Sequence, residues 1–219
     1  MEQVAGSPQE PPELAPETAP RPQTDRFMDE IRYMHRLRAE LGALSPAQRA
    51  EVARRLGDGY ADDWILTARD AQLPPPDLSW CWLLLGGRGT GKTRALSGAV
   101  HIAIRAGLRR IHVISPSIAD YREVMVNGPS GLMATCDAGE RPRWIASRRQ
   151  LEWENGARVT CFSAEDPESL RGPQAELVVC DEIARMRYQQ EVFDNAMFGL
   201  RLGDRPRIFL ARHPARRCS

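Results

Sequence analysis

Eleven residues constrain this chain more than any others: LLLGGRGTGKT, from Leu83 to Thr93. Gly86, Gly91, Lys92 and Thr93 satisfy the pattern G-x-x-x-x-G-K-[ST]. An apolar run of strand length, Cys81–Leu85, precedes them and a helical stretch follows, which is the setting this motif requires. The glycines permit a tight loop whose backbone N–H groups converge on phosphate oxygens at the positive end of the next helix. Gly86, Gly87, Arg88, Gly89, Thr90 and Gly91 form that loop, Lys92 supplies a point charge between β- and γ-phosphates, and the Thr93 hydroxyl is a ligand for Mg²⁺. The pattern predicts ATP with Mg²⁺ as the bound species.

Such a loop needs a second carboxylate for the metal, and LVVCDEIA supplies it. Leu177–Cys180 reads as a buried strand that delivers Asp181 to its C-terminal end, where ligands collect in open α/β sheets. Asp181 is the expected metal carboxylate, and Glu182 beside it the expected general base for water. An Asp–Glu pair points to ATP hydrolysis by a motor-type enzyme. A switch GTPase would carry N-K-x-D, which does not occur in the chain.

Other positions leave two readings open. Arg88, inside the loop, is either a cation for the γ-phosphate or a solvent-facing loop residue. Arg171, in SLRGPQ, is either an arginine finger for a neighbouring subunit or a surface residue. Gln72, in AQLPPP, could read an adenine edge through its amide. Arg141, Arg143, Arg148 and Arg149 cluster around Trp144, as a DNA-backbone contact or as a solvated face.

The rest of the chain organises around these motifs. Residues 1–24 hold six prolines and almost no large apolar side chains, which predicts a disordered tail. Residues 25–79 read as a helical segment. In it, Phe27, Ile31, Met34, Leu37 and Leu41 recur at helical spacing. Ser45, Pro46 and Gln48 then open a second helix that Gly57 closes, and a third stretch spans Tyr60 to Ala71. From residue 80 to 219 short apolar runs alternate with helices. Strands are expected at Cys81–Leu85, Arg110–Ser115, Arg158–Phe162, Leu177–Cys180 and Arg207–Ala211, and helices at Lys92–Ala106, Ala119–Asn127, Pro167–Leu170 and Tyr188–Gly199. The expected fold is α/β, a P-loop NTPase core of the ASCE type with a mostly parallel sheet covered on both faces.

Bulk properties exclude several classes. A net charge of +1 over 219 residues leaves any polyanion contact to a local patch. Five cysteines, unpaired in pattern and without His partners at metal spacing, predict a reduced, cytoplasmic setting. No apolar run approaches the roughly 20 residues of a membrane span, so no membrane partner is expected.

Taken together, WLLLGGRGTGKTRA, ADYREVMVNGPSGLMA, FSAEDPESLRGPQAELVVCDEIA and FDNAMFGLRLGDRPR resemble the large terminase subunit of tailed phages, most of all the branch of gene transfer agents and related prophages. The likeness runs from about residue 64 to 208. It implies an ATPase that works as a homo-oligomeric ring, meets the portal protein and the small terminase subunit, and drives double-stranded DNA into a procapsid. On that resemblance Lys92 and Thr93 bind phosphate and metal, Asp181 binds Mg²⁺, and Glu182 activates water. Arg88 and Arg171 take the two arginine roles, and Gln72 that of the adenine-associated glutamine.

The resemblance also implies a Thr-rich coupling segment, T-T-P-R-P, and an RNase H-like nuclease domain after the last strand, where this sequence reads ARHPARRCS. One codon choice for Ala211 to Cys218, GCA CGA CAC CCC GCC CGA CGC TGC, reads T-T-P-R-P-T-L from its third base. The expectation is a shift of reading frame near Ala211 and a motor core that ends early, with an exposed docking surface.

Overall fold

The structure is a computed structural model in which residues 25–57, 64–137 and 139–214 are described. The expected Pro-rich tail lies outside them, as do the start of the stretch from Tyr60 and the last five residues.

The N-terminal segment begins with α1 (Arg26–Ala43), capped by the Asp25 carboxylate, which accepts from Met28 N–H. Its apolar stripe is buried through Phe27, Met28, Ile31 and Met34. The helix α2 (Pro46–Leu56) carries the expected capping box between Ser45 and Gln48, yet none of its residues is buried. Of the third stretch, the described residues form α3 (Trp64–Thr67), which gives way to a 3₁₀ turn, Asp70–Gln72, before the expected end of the helix.

Among the described residues seven strands follow: β1 (Cys81–Leu85), β2 (Arg110–Ser115), β3 (Arg143–Ile145), β4 (Gln150–Glu152), β5 (Arg158–Ser163), β6 (Leu177–Cys180) and β7 (Arg207–Arg212). They form one sheet in the order β1-β7-β6-β2-β5-β4-β3. The five expected strands pair in parallel, while β4 and β3 add an antiparallel wing. The sheet is therefore mostly parallel, as expected, and the wing itself has no counterpart among the expected strands. Each of its strands is only three residues long, too short to show a period. The signal that could have found it is Asn155-Gly156, a hairpin dipeptide. Gly156 takes φ +85°, and Trp153 N–H reaches Ala157 O across the turn at 3.0 Å.

The sheet's two faces are both covered, as alternation along the strands requires. One core joins Ile111, Val113, Leu177, Val179 and Phe209 to α1 and to α4 (Lys92–Arg105). The other joins Ile114, Phe162, Val178, Cys180 and Ile208 to α6 (Gln189–Gly199). The expected helix at Ala119–Asn127 is a single α-turn, α5 (Ile118–Asp120), that widens into a π-helix over Tyr121–Val126. The expected Pro167–Leu170 helix is a 3₁₀ turn. Among the described residues, no helix is long and apolar enough to cross a membrane.

Candidate functional site

The chain passes from β1 to β2 over β7 and β6, so the loop after β1 and the loops after β6 and β7 open onto one crevice at the C-terminal ends of the strands. Such a switch point is where open α/β sheets collect ligands. A cavity of about 520 Å³ lies there. Its floor is the loop from Arg88 to Thr93, one wall is Asp181, Glu182 and Arg185, and the facing wall is built from the segment after β2 and the π-helix.

The loop is shaped by its glycines. Gly89 and Gly91 stand at φ +73° and +76°, a region that L side chains rarely enter. A Cβ on Gly86 would lie 2.5 Å from Thr90 Oγ1, and one on Gly91 would lie 2.2 Å from Gln72 Nε2. Lys92 is buried at the head of α4, and its ammonium donates to Gly86 O (2.9 Å) and Gly87 O (3.0 Å). It also lies 3.5 Å from Glu182 Oε1.

The all-apolar β6 delivers Asp181 into the crevice, where only 4% of it is exposed. Thr93 Oγ1 donates to Asp181 Oδ2 at 3.1 Å, so the two residues expected to share a metal are brought together. Burial pushes the Asp181 carboxyl up to about 6, against the lowering pull of the Thr93 hydroxyl; the neighbouring Glu182 charge adds to the rise. Asp181 Oδ1 is buried and has no partner among the described residues. A buried, unpartnered carboxylate oxygen beside a hydroxyl is a hard-oxygen donor set that fits Mg²⁺. Among the described residues no group of three or more His, Cys, Asp or Glu is disposed to hold a metal, so phosphate and water oxygens would complete the shell.

Glu182 adopts a left-handed backbone (φ +52°), unusual for a residue with a Cβ and found where surrounding structure imposes it. One carboxylate oxygen, Oε1, faces both Lys92 and His213 Nε2, the latter at 2.9 Å, while Oε2 is buried without a partner among the described residues.

The remaining sequence candidates separate. Arg88 is exposed at the cavity floor. Gln72 braces the loop from behind: its Nε2 donates to Thr90 O (3.2 Å) and Gly91 O (3.4 Å), and its Oε1 accepts from Arg69 N–H (3.0 Å). Arg171 is not at this cavity; it pairs with Glu168 at 2.9 Å and donates to Asn195 Oδ1 at 3.3 Å. Four contributors escaped the sequence reading. Arg69 donates to Thr90 O at 2.5 Å, Asp120 meets Arg185 at 3.2 Å across the cavity mouth, and His213 touches Glu182. None carries a local motif; each arrives by tertiary packing.

The profile of the family described as "Terminase large subunit, T4likevirus-type, N-terminal" matches residues 83–217, well over half of the chain. The chain belongs to the terminase large subunit family. The matched residues make up that family's N-terminal domain. Solved terminases share its fold. The large terminase of a thermophilic bacteriophage superposes with a TM-score of 0.53 at 17% identity, covering 70% of this chain and 37% of its own. The ADP complex of that same phage terminase gives 0.52 at 17% identity, with 69% and 37% covered. This terminase chain therefore spans little more than a third of the length of the thermophilic phage's protein. The ATPase domain of the Thermus phage P74-26 large terminase gives 0.52 at 15% identity, with 73% and 70% covered. No curated protein matches the chain.

Proposed function

We propose that this chain is the ATP-hydrolysing motor domain of a DNA-packaging terminase large subunit from a phage, prophage or gene transfer agent. The single observation that carries the reading is the meeting of Lys92, Thr93, Asp181 and Glu182 around one cavity between the ends of β1, β7 and β6. Two structures of the thermophilic phage's large terminase, which has this fold, are complexes with ADP and ATP-gamma-S, which supports a nucleotide as the ligand.

In this reading the loop amides and Lys92 hold the β- and γ-phosphates. Lys92 exchanges its contacts to Gly86 O and Gly87 O for phosphate oxygens. Thr93 and Asp181 hold Mg²⁺, which when bound offsets the charge of the phosphate oxygens. Glu182 orients a water and takes up its proton once its carboxylate turns from Lys92 and His213 towards the cavity. Arg88 adds positive charge over the γ-phosphate, and Gln72 couples the loop to the adenine side. Arg171, being exposed and outside its own chain's cavity, acts on the nucleotide of a neighbouring copy in a ring. The domain organisation we adopt is a helical segment over 25–79 followed by the ATPase core from 80. Partners are double-stranded DNA, a portal protein and a small terminase subunit, in the cytoplasm of the bacterial host.

A second reading, nucleotide binding without turnover, draws on the contacts of Glu182 Oε1 with Lys92 and His213, which hold the base away from water. Phosphate release from ATP decides between them. Hydrolysis that falls at least about a hundredfold in Lys92→Ala and Glu182→Gln supports the motor. Binding of a fluorescent ATP analogue with no turnover supports the second reading, and no binding at all rules out both.

A further inference from the structure

The sheet's register assembles a charged row that is scattered in the sequence. Arg110 on β2 pairs with Arg158 on β5, Arg158 with Glu152 on β4, and Glu152 with Arg143 on β3. Paired residues point to the same face, and neighbouring strands lie about 4.8 Å apart, so the row crosses four strands over roughly 14 Å. Glu152 gathers its neighbours, with Arg143 at 3.1 Å, Arg158 at 3.5 Å and Arg148 at 3.9 Å. The three arginine side chains stay 59–77% exposed while Glu152 is 18% exposed. One carboxylate thus orders several guanidinium groups that keep most of their surface in water. The acid at the other end of the row, Glu176, is committed to the backbone N–H groups of Arg109 and Arg110 at 2.6 and 2.8 Å. The opposite face of these strands is closed by core residues Ile111, Val159 and Leu151. The arginine row lies at the start of β2 and β5, the end remote from the nucleotide cavity.

We infer that Arg110, Arg143, Arg148 and Arg158 form a docking surface for the phosphate backbone of duplex DNA. The occupant is chosen by charge: a chain of net charge +1 concentrates an excess of guanidinium on one strip, and guanidinium forks match phosphate oxygens. The strip holds no apolar or aromatic group in the row itself, so it contacts backbone without reading bases. The choice of DNA rests on the proposed packaging role; the strip itself rests on the register.

Fluorescence anisotropy of the full chain with a short labelled duplex, across a salt series, tests this. The triple variant R143Q/R148Q/R158Q is expected to bind about tenfold or more weakly, with a log K against log salt slope shallower by about 2 to 3. E152Q, which removes the internal counter-charge, is expected to bind more tightly than wild type. Both variants are expected to bind a fluorescent ATP analogue as wild type does, which checks folding independently. Duplex binding that the triple variant leaves unchanged in strength and slope overturns the surface alone. A wild-type chain that does not bind duplex at low salt overturns the surface and the DNA partner together, and leaves the ATPase test untouched.

Discussion

Thr93 and Asp181 lie 88 residues apart in the chain and 3.1 Å apart in space, hydroxyl to carboxylate, with the second carboxylate oxygen buried and unpartnered. This arrangement is costly to the chain by itself, because burial disfavours the charged form of Asp181. Asp181→Asn keeps the hydroxyl contact and removes the buried charge. It should therefore melt no lower than wild type in the absence of ligand. Wild type should melt several degrees higher with Mg²⁺ and a slowly hydrolysed ATP analogue, and lose that rise with EDTA. Thr93→Ala and Asp181→Asn should lose it too. Scanning calorimetry with and without EDTA reads all of these; a ligand-induced rise that survives in D181N would contradict the metal assignment.

Gly91 and Gln72 define how the loop is held. A Cβ at Gly91 meets Gln72 Nε2 at 2.2 Å, and the backbone stands at φ +76°. Gln72 can swing away, but the backbone strain stays, so Gly91→Ala should cost about 1–2 kcal/mol. Gln72→Ala alone should cost about 1 kcal/mol for its hydrogen bonds. The double variant should be no worse than Gly91→Ala, because that substitution already displaces the amide. Urea titrations of the four proteins give the cycle, and full additivity would show that the two residues do not share the contact.

Arg207 is 3% exposed, lies over the Phe27 ring and is paired with Asp25, the residue that caps α1. The pair ties the helical segment to β7. Asp25→Ala strands a buried guanidinium and should cost about 3–5 kcal/mol. Arg207→Met in the same background should recover part of that loss by removing the stranded charge. Chemical denaturation measures both, and a loss under about 1 kcal/mol in D25A would mean Arg207 finds water instead.

Acid should destabilise the domain through two imidazoles. Burial lowers His101 to about 3, helped by the charges of Arg105 and Arg94, and lowers His112 to about 4. Both lie below the ordinary 6.5, so the unfolded chain takes up protons first. The stability is intact above pH 6.5 and falls as pH drops from there towards the folded values. By pH 5 each imidazole removes about 2 kcal/mol. Asp181 works the other way: raised to about 6, it returns about 1 kcal/mol at pH 5. The net expectation is a lower melting temperature at pH 5 than at pH 7, with His112→Gln reducing the drop. A melting temperature that holds or rises on acidification would contradict this.

Local chemistry determined the parts of this terminase domain that the sequence shows unaided. A glycine-rich loop must sit between a strand and a helix to present its amides, so β1, the loop and α4 were legible together. The apolar run before Asp181 could only be a buried strand, and the capping box of α2 is a matter of neighbouring residues. Tertiary structure alone decided the rest. The wing of β3 and β4 draws its pairing from partners, since three residues have no period of their own. Gln72 faces the loop, and His213 faces Glu182, because distant backbone brings them there. The arginine row exists only once the register sets Arg110 beside Arg158 and Glu152 beside Arg143. Long-range juxtaposition depends on the packing of whole elements, and no window of sequence contains it.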